Sequence, residues 1–275
     1  MKKRSFNKRS LIFIIPAVLL IGVLCYAVIN ALCIYIPQEK EQKSFAELKE
    51  SIRVDREDDA SKESSDRQGE ETGNSNQDDT KKASYRYDYE SLSKANPDYI
   101  GWLNIDDTLI DYPVMKSSED DPEYYLHRDF YGNDSFSGCL FIAEGCNADS
   151  KSFLIYGHNM NNDSMFGALD EYYDYNYAKQ HRDIHFFIHG EDRVYRVFAA
   201  FQTKVYDDRE NVFKYYEAVG DLSEEEYNDA VENVRRMSQP SLSDAPQYPA
   251  QLMFLSTCSY HTDDGRFVVA AYRIQ

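Results

Sequence analysis

With 275 residues, 42% of them hydrophobic, and only 12 Gly and 8 Pro, the chain can hold one large folded body or two small ones, with 23 Tyr and 15 Phe to fill a core. Its formal charge of -18 argues against a nucleic-acid partner, because phosphate binding needs a concentrated Lys/Arg face. The same charge fits an exported body kept dispersed by like-charge repulsion.

The first ten residues carry Lys2, Lys3, Arg4, Lys8 and Arg9 and no acid. Leu11 to Ile36 follow as a nearly uninterrupted apolar run. It exceeds the about 20 residues that a bilayer core of ~30 Å requires. Basic residues before the run and Gln38-Glu39-Lys40-Glu41 after it predict a cytoplasmic segment 1–10 and a single-pass anchor 11–36 in the cell membrane, with the remaining body extracellular. A cleavable signal peptide competes, but the run is long for an h-region and no small-x-small site closes it.

Residues 37–84 are polar, as in Asp55-Arg56-Glu57-Asp58-Asp59, and offer too little apolar surface to offset chain entropy. They predict a flexible linker whose Phe45 to Val54 part is a short helix. The folded domain is then 85–275. Tyr87 to Ala95 is amphipathic and stops at Asn96-Pro97, a helix with its terminator. Tyr99 to Ile105 and Leu109 to Met115 are β-rich runs around Asp106-Asp107, predicting paired strands. Pro122 to Leu126 predicts a helical turn, and Cys139 to Ala143 and Phe153 to Tyr156 predict strands. Met165 to Tyr172 and Tyr175 to Gln180 are helical in pattern, while Ile184 to Ile188 and Val194 to Val205 alternate as strands about the turn at His189 to Asp192. Ser223 followed by Glu226 is a capping box. It opens a helix to about Met237 with Tyr227, Ala230, Val231 and Val234 on one face. Two final strands follow, Leu252 to Cys258 and one from Gly265. Some eight short strands without βαβ alternation predict a mainly β fold, a barrel or closed sheet with helical insertions.

The five cysteines make no disulfide framework. Cys25 and Cys33 lie in the apolar run, which leaves Cys139, Cys146 and Cys258 in the body, an odd number that flags a reactive thiol. Cys139 and Cys146 are read as buried spectators, with pairing between them left open. Cys258 ends a strand, and Arg266 opens the next one across a turn containing Asp263-Asp264-Gly265. A thiol attacks as its thiolate and needs a neighbour that favours the anion. His158, in Tyr156-Gly157-His158-Asn159 at the end of another strand, supplies a candidate base. Arg266 cannot act as a base near neutral pH; its use is as a charged donor to a developing oxyanion or to the substrate backbone. His181, His185 and His189 have helix-face spacing, but Asp183 to His189 alternates like a strand, so no metal site is expected.

Tyr156-Gly157-His158-Asn159-Met160, Leu255-Ser256-Thr257-Cys258 and Gly265-Arg266, in this order along the chain with an apolar N-terminus, resemble the sortases, cysteine transpeptidases of Gram-positive surfaces. The long His158-to-Cys258 spacing, the helix before the last strands and the segment Asn159 to Phe166 are similar to class B. Phe254 stands where the family usually has the first Thr of Thr-Leu-x-Thr-Cys. The resemblance implies a sortase-like eight-stranded β-barrel with an N-terminal helix and a long helix before the last two strands. It implies catalysis by Cys258, His158 and Arg266, substrate contacts by Ser256, Thr257, Tyr156 and Asn159, and no metal or other cofactor. The implied partners are a surface protein with a C-terminal sorting signal, NPQTN-like or PxTG-like, and an amine of a peptidoglycan precursor or pilin. Two other readings use the same residues: a cysteine protease releasing acid to water, and a non-enzymatic surface-binding module in which Cys258 packs. The protease reading is weakened because papain-like enzymes place Cys before His, the reverse of this chain.

Overall fold

Strands with apolar residues on both faces need cover on both sides, and a sheet closed on itself provides it while leaving no open edge. In the computed structural model of the chain, eight strands meet this requirement as a closed barrel. The structure describes residues 8–55, 85–239, 242 and 245–275, and the chain divides into two compact units, Met1–Ser44 and Phe45–Gln275.

Helix α1 runs over Lys8–Ser51 and is followed by β1 (Arg53–Asp55), β2 (Tyr85–Tyr87) and α2 (Glu90–Ala95). The barrel strands are β3 (Tyr99–Ile105), β4 (Asp111–Met115), β5 (Leu140–Ile142), β6 (Ser152–Tyr156), β7 (Asp183–Ile188), β8 (Glu191–Lys204), β9 (Leu252–Cys258) and β10 (Gly265–Arg273). Helices α3 (Tyr175–Gln180) and α4 (Glu224–Met237) and 3-10 turns at Tyr124–His127, Gly167–Tyr173 and Tyr215–Glu217 lie between them. Around the barrel the order is β10-β8-β7-β3-β4-β5-β6-β9, antiparallel except for the parallel pairs β4–β5 and β6–β9. This is the mainly β architecture with helical insertions that the sequence predicts.

Alternation along β9 and β10 sorts their side chains into two apolar clusters. Met253, Leu255, Phe267, Val269 and Ala271 belong to a large cluster to which all eight barrel strands contribute. Leu252, Phe254, Val268 and Ala270 belong to a second one, with Phe201, Tyr215 and, from the buried face of α4, Tyr227, Val231 and Val234. That face is Tyr227, Ala230, Val231 and Val234, as the spacing predicts. The helix is opened by a complete capping box: Ser223 Oγ accepts from the Glu226 amide at 3.3 Å, and Glu226 Oε2 accepts from the Ser223 amide at 2.8 Å. Ser223→Ala is expected to lower stability by about 1 kcal/mol, read in denaturant unfolding, with the barrel intact; an unchanged midpoint would show that the cap contributes nothing.

Residues 45–55, read from sequence as part of a polar linker, pack on the barrel. Phe45, Leu48 and Ile52 are buried in the large cluster, and the Phe45 ring meets Tyr112 edge-on at 5.3 Å. The Lys49 ammonium pairs with Asp111, whose second carboxylate oxygen accepts from Trp102 Nε1 at 2.7 Å. Strand β1 then pairs antiparallel with β2, Val54 opposite Arg86. The helix expected from Tyr87 therefore begins only at Glu90, because Tyr85–Tyr87 is taken up by this pairing.

The membrane anchor expected over 11–36, and with it the placement of the body outside a cell membrane, is corrected. Among the described residues no helix is long and apolar enough to cross a membrane.

Candidate active site

Strands β6 and β9 run parallel with Tyr156 beside Ser256, so both end at the same rim of the barrel. Beyond that rim lie His158 on one chain segment and Cys258 on the other. Cys258 is also directly opposite Arg266 on β10. The connection between them is a tight turn: the Ser259 amide donates to Gly265 O at 2.9 Å, and Asp264 adopts a left-handed φ of 55°. A Cβ at Gly265 would strike the carbonyl oxygen of Ser259, so the turn that sets the thiol against the guanidinium requires glycine there.

The histidine segment is fastened to the cysteine strand by two side chains. Thr257 Oγ1 donates to Gly157 O at 2.8 Å, and Asn159 Nδ2 donates to Cys258 O at 2.8 Å. The same Asn159 amide donates to Asp170 Oδ2 at 3.0 Å. Burial pushes the Asp170 carboxyl above its ordinary range, against the opposing pull of Asn159 and His261. His158 is half-buried, with Nε2 placed 2.9 Å from Leu126 O. A carbonyl can only accept, so Nε2 carries a proton and the acceptor nitrogen of the neutral ring is Nδ1. The ring of His127 lies 5.4 Å from that of His158.

Cys258 is exposed and Arg266 half-buried. Arg266 Nη1 donates to Gly265 O at 2.9 Å and to Asp264 O at 3.3 Å. Its charge reaches inward: burial pushes the Tyr156 phenol up to about 12, and Arg266 is the chief influence opposing that rise. Ser256 is fully buried, with Oγ 2.7 Å from the Tyr215 hydroxyl. The hydroxyls of Ser256 and Thr257, two of the residues read as substrate contacts, are thus engaged within the protein, while Asn159 and Tyr156 are half-buried at the rim. Among the other thiols, Cys139 is buried, and burial raises the half-buried Cys146 above its ordinary range.

Of the other histidines, His181 and His185 are engaged away from this cluster, while His261 lies in the turn between Cys258 and Arg266. His185 Nδ1 is 3.1 Å from Asp192, His181 Nδ1 is 3.0 Å from Asp106 O, and exposed His261 bonds to Ser259 Oγ at 2.9 Å. The sequence reading missed Asp170 and His127, which only the fold brings beside the His158 segment; no spacing or motif marks either. A cavity of about 480 Å³ bordered by Lys151, Arg193, Gln251 and Arg273 lies at the opposite ends of β9 and β10 and holds none of the candidate residues.

Gly157 is a second place where glycine is required. A Cβ there would come 2.5 Å from Leu140 Cδ2 and 2.7 Å from Phe166 Cδ2. Both neighbours are fully buried. Gly157→Ala is expected to cost about 1–3 kcal/mol through overpacking. It should also slow turnover by displacing His158; thermal unfolding and peptide turnover measured together check both, and wild-type values in both would refute the close fit.

The rim thus brings together a thiol, an imidazole and a guanidinium, residue types with which acyl transfer through a thioester can be run. A model of the sortase domain matches residues 103–274. Sortase B of Listeria monocytogenes is 29% identical over 189 residues, covering 67% of this chain and 73% of that protein. Sortase B of Staphylococcus aureus is 27% identical over 191 residues, with 68% and 74% covered. The crystal structure of sortase B from B. anthracis in complex with AAEK1 superposes with a TM-score of 0.58 at 27% identity, over 68% of this chain and 84% of that one.

Proposed function

Because the chain belongs to the sortase family, and within it to class B, we propose that this cysteine transpeptidase works through Cys258, His158 and Arg266 on the barrel formed within 85–275. The Cys258 thiolate attacks the carbonyl of the sorting-signal threonine, in an NPQTN-like or PxTG-like sequence. The C–N bond breaks as His158 protonates the leaving amine, and the threonine carbonyl remains on sulfur as a thioester. An amine of the cell wall, from a peptidoglycan precursor or a pilin, then attacks that carbonyl. His158 removes its proton, the new amide forms and the thiolate departs. Arg266 holds the substrate carbonyl oxygen while negative charge develops on it.

One observation carries this reading. Cys258 stands in direct register with Arg266, and its own carbonyl is tied by Asn159 to the segment bearing His158. Two groups of one hairpin and a third from about a hundred residues upstream thereby meet at one rim. The test is to incubate the protein with a sorting-signal peptide, with and without a primary amine such as triglycine. An amine-dependent ligated product supports the transpeptidase. Release of acid at a rate indifferent to amine would favour a hydrolase, and absence of thiol-dependent turnover with both peptide types would overturn the assignment.

A further inference from the structure

Cys258, Arg266 and Thr203 form one row across β9, β10 and β8, since Arg266 is directly opposite Cys258 on one side and Thr203 on the other. Directly opposed residues of antiparallel strands present their side chains on the same face. The thiol, the guanidinium and the Thr203 hydroxyl therefore share a face. The next row along it is Ser256, Val268 and Phe201, with Tyr215 packed over Phe201 and bonded to Ser256. Exposure falls along the first row, from exposed Cys258 through half-buried Arg266 to Thr203 at 5%.

Thr203 Oγ1 is buried and has no hydrogen-bond partner among the described residues. A hydroxyl in that condition opposes folding, and valine would fill the same space without the penalty. Beside it, Arg266 Nη1 is bound to Asp264 O and Gly265 O, the carbonyls of its own turn. A guanidinium has five N–H donors in a fixed fork. An acceptor without a donor thus adjoins a guanidinium whose Nη1 is held on the turn.

Building on the roles assigned above to Cys258 and Arg266, we propose that Thr203 is a positioning residue for Arg266. When a substrate carbonyl sits at the thiol, the guanidinium turns from the turn carbonyls across the row. One N–H is then donated to Thr203 Oγ1 and another to the substrate oxygen. The Thr203 bond is absent in the free enzyme and present when charge develops on substrate, which is the condition under which a contact raises kcat rather than only lowering KM.

Thr203→Val and Thr203→Ser in the full chain test this, with Cys258→Ala measured in parallel. Thr203→Val is expected to lower kcat about tenfold, the value of one hydrogen bond to a charged group, with KM changed by less than about twofold. Its Tm should be unchanged or higher, and Thr203→Ser should restore most of kcat. In an Arg266→Ala background, read in single turnover, Thr203→Val should add no further loss, because the two act as one unit. Wild-type kcat in Thr203→Val, or an equal loss with and without Arg266, overturns the proposal while leaving Cys258 and Arg266 in place. Turnover surviving in Cys258→Ala would instead overturn the reading of the site on which the proposal rests.

Discussion

Cys258→Ala is expected to leave no measurable cleavage or ligation of a sorting-signal peptide, a fall on the order of 10⁵–10⁶ if background chemistry is all that remains. Without the thiol there is no thioester, and the remaining groups have no attacking atom to serve. Neither Cys139 nor Cys146 is placed to take over. Cys139 is buried, and Cys146 is half-buried with a thiol that burial makes harder to ionise. Cys146 Sγ also lies against Ala143 O at 3.4 Å rather than at the rim. Mass spectrometry of the wild type with peptide and no amine should show a covalent adduct that disappears in the variant. An adduct or turnover persisting in Cys258→Ala would mean that the reaction does not run through this residue.

Arg266→Ala is expected to cost ~2–4 kcal/mol of transition-state stabilisation, roughly 10²- to 10³-fold in kcat, as for loss of one oxyanion donor. Arg266→Lys should recover only part, since an ammonium keeps the charge but lacks the planar fork that can hold two oxygens at once. Normal turnover in Arg266→Ala would remove the oxyanion role.

Much of the fold could be read from residue patterns. Strand β7 follows from alternation, β9 from a continuous apolar run, and the buried face of α4 from helical spacing and the Ser223–Glu226 box, all local signals. Pairings that depend on distant chain segments left no such mark. Strands β1 and β2 are three residues each, Arg-Val-Asp and Tyr-Arg-Tyr, and neither shows the pattern of a strand in isolation. Residues 45–55 looked like linker because Phe45, Leu48 and Ile52 stand among charges, and their burial depends on a barrel surface that sequence does not display. At the site, residue type and order singled out Cys258, His158 and Arg266. The bonds joining their segments, from Thr257 to Gly157 and from Asn159 to Cys258, exist only because β6 and β9 lie side by side. Nothing in the sequence marks Thr203; register and an unmet hydroxyl single it out.

The parallel pairing of β6 with β9 also governs when the site can exist. Thr257 and Gly157, whose bond joins the two strands, are 100 residues apart in sequence. Closing so long a loop carries an entropic cost before any contact across it can compensate, which makes such pairings late and slow events in folding. A growing chain that has not yet supplied Leu252–Arg273 lacks the thiol, the guanidinium and the last two staves of the barrel together. Chemical competence therefore arrives with completion of the fold, and a partly made molecule presents no half-built acyl-transfer centre to the peptides around it.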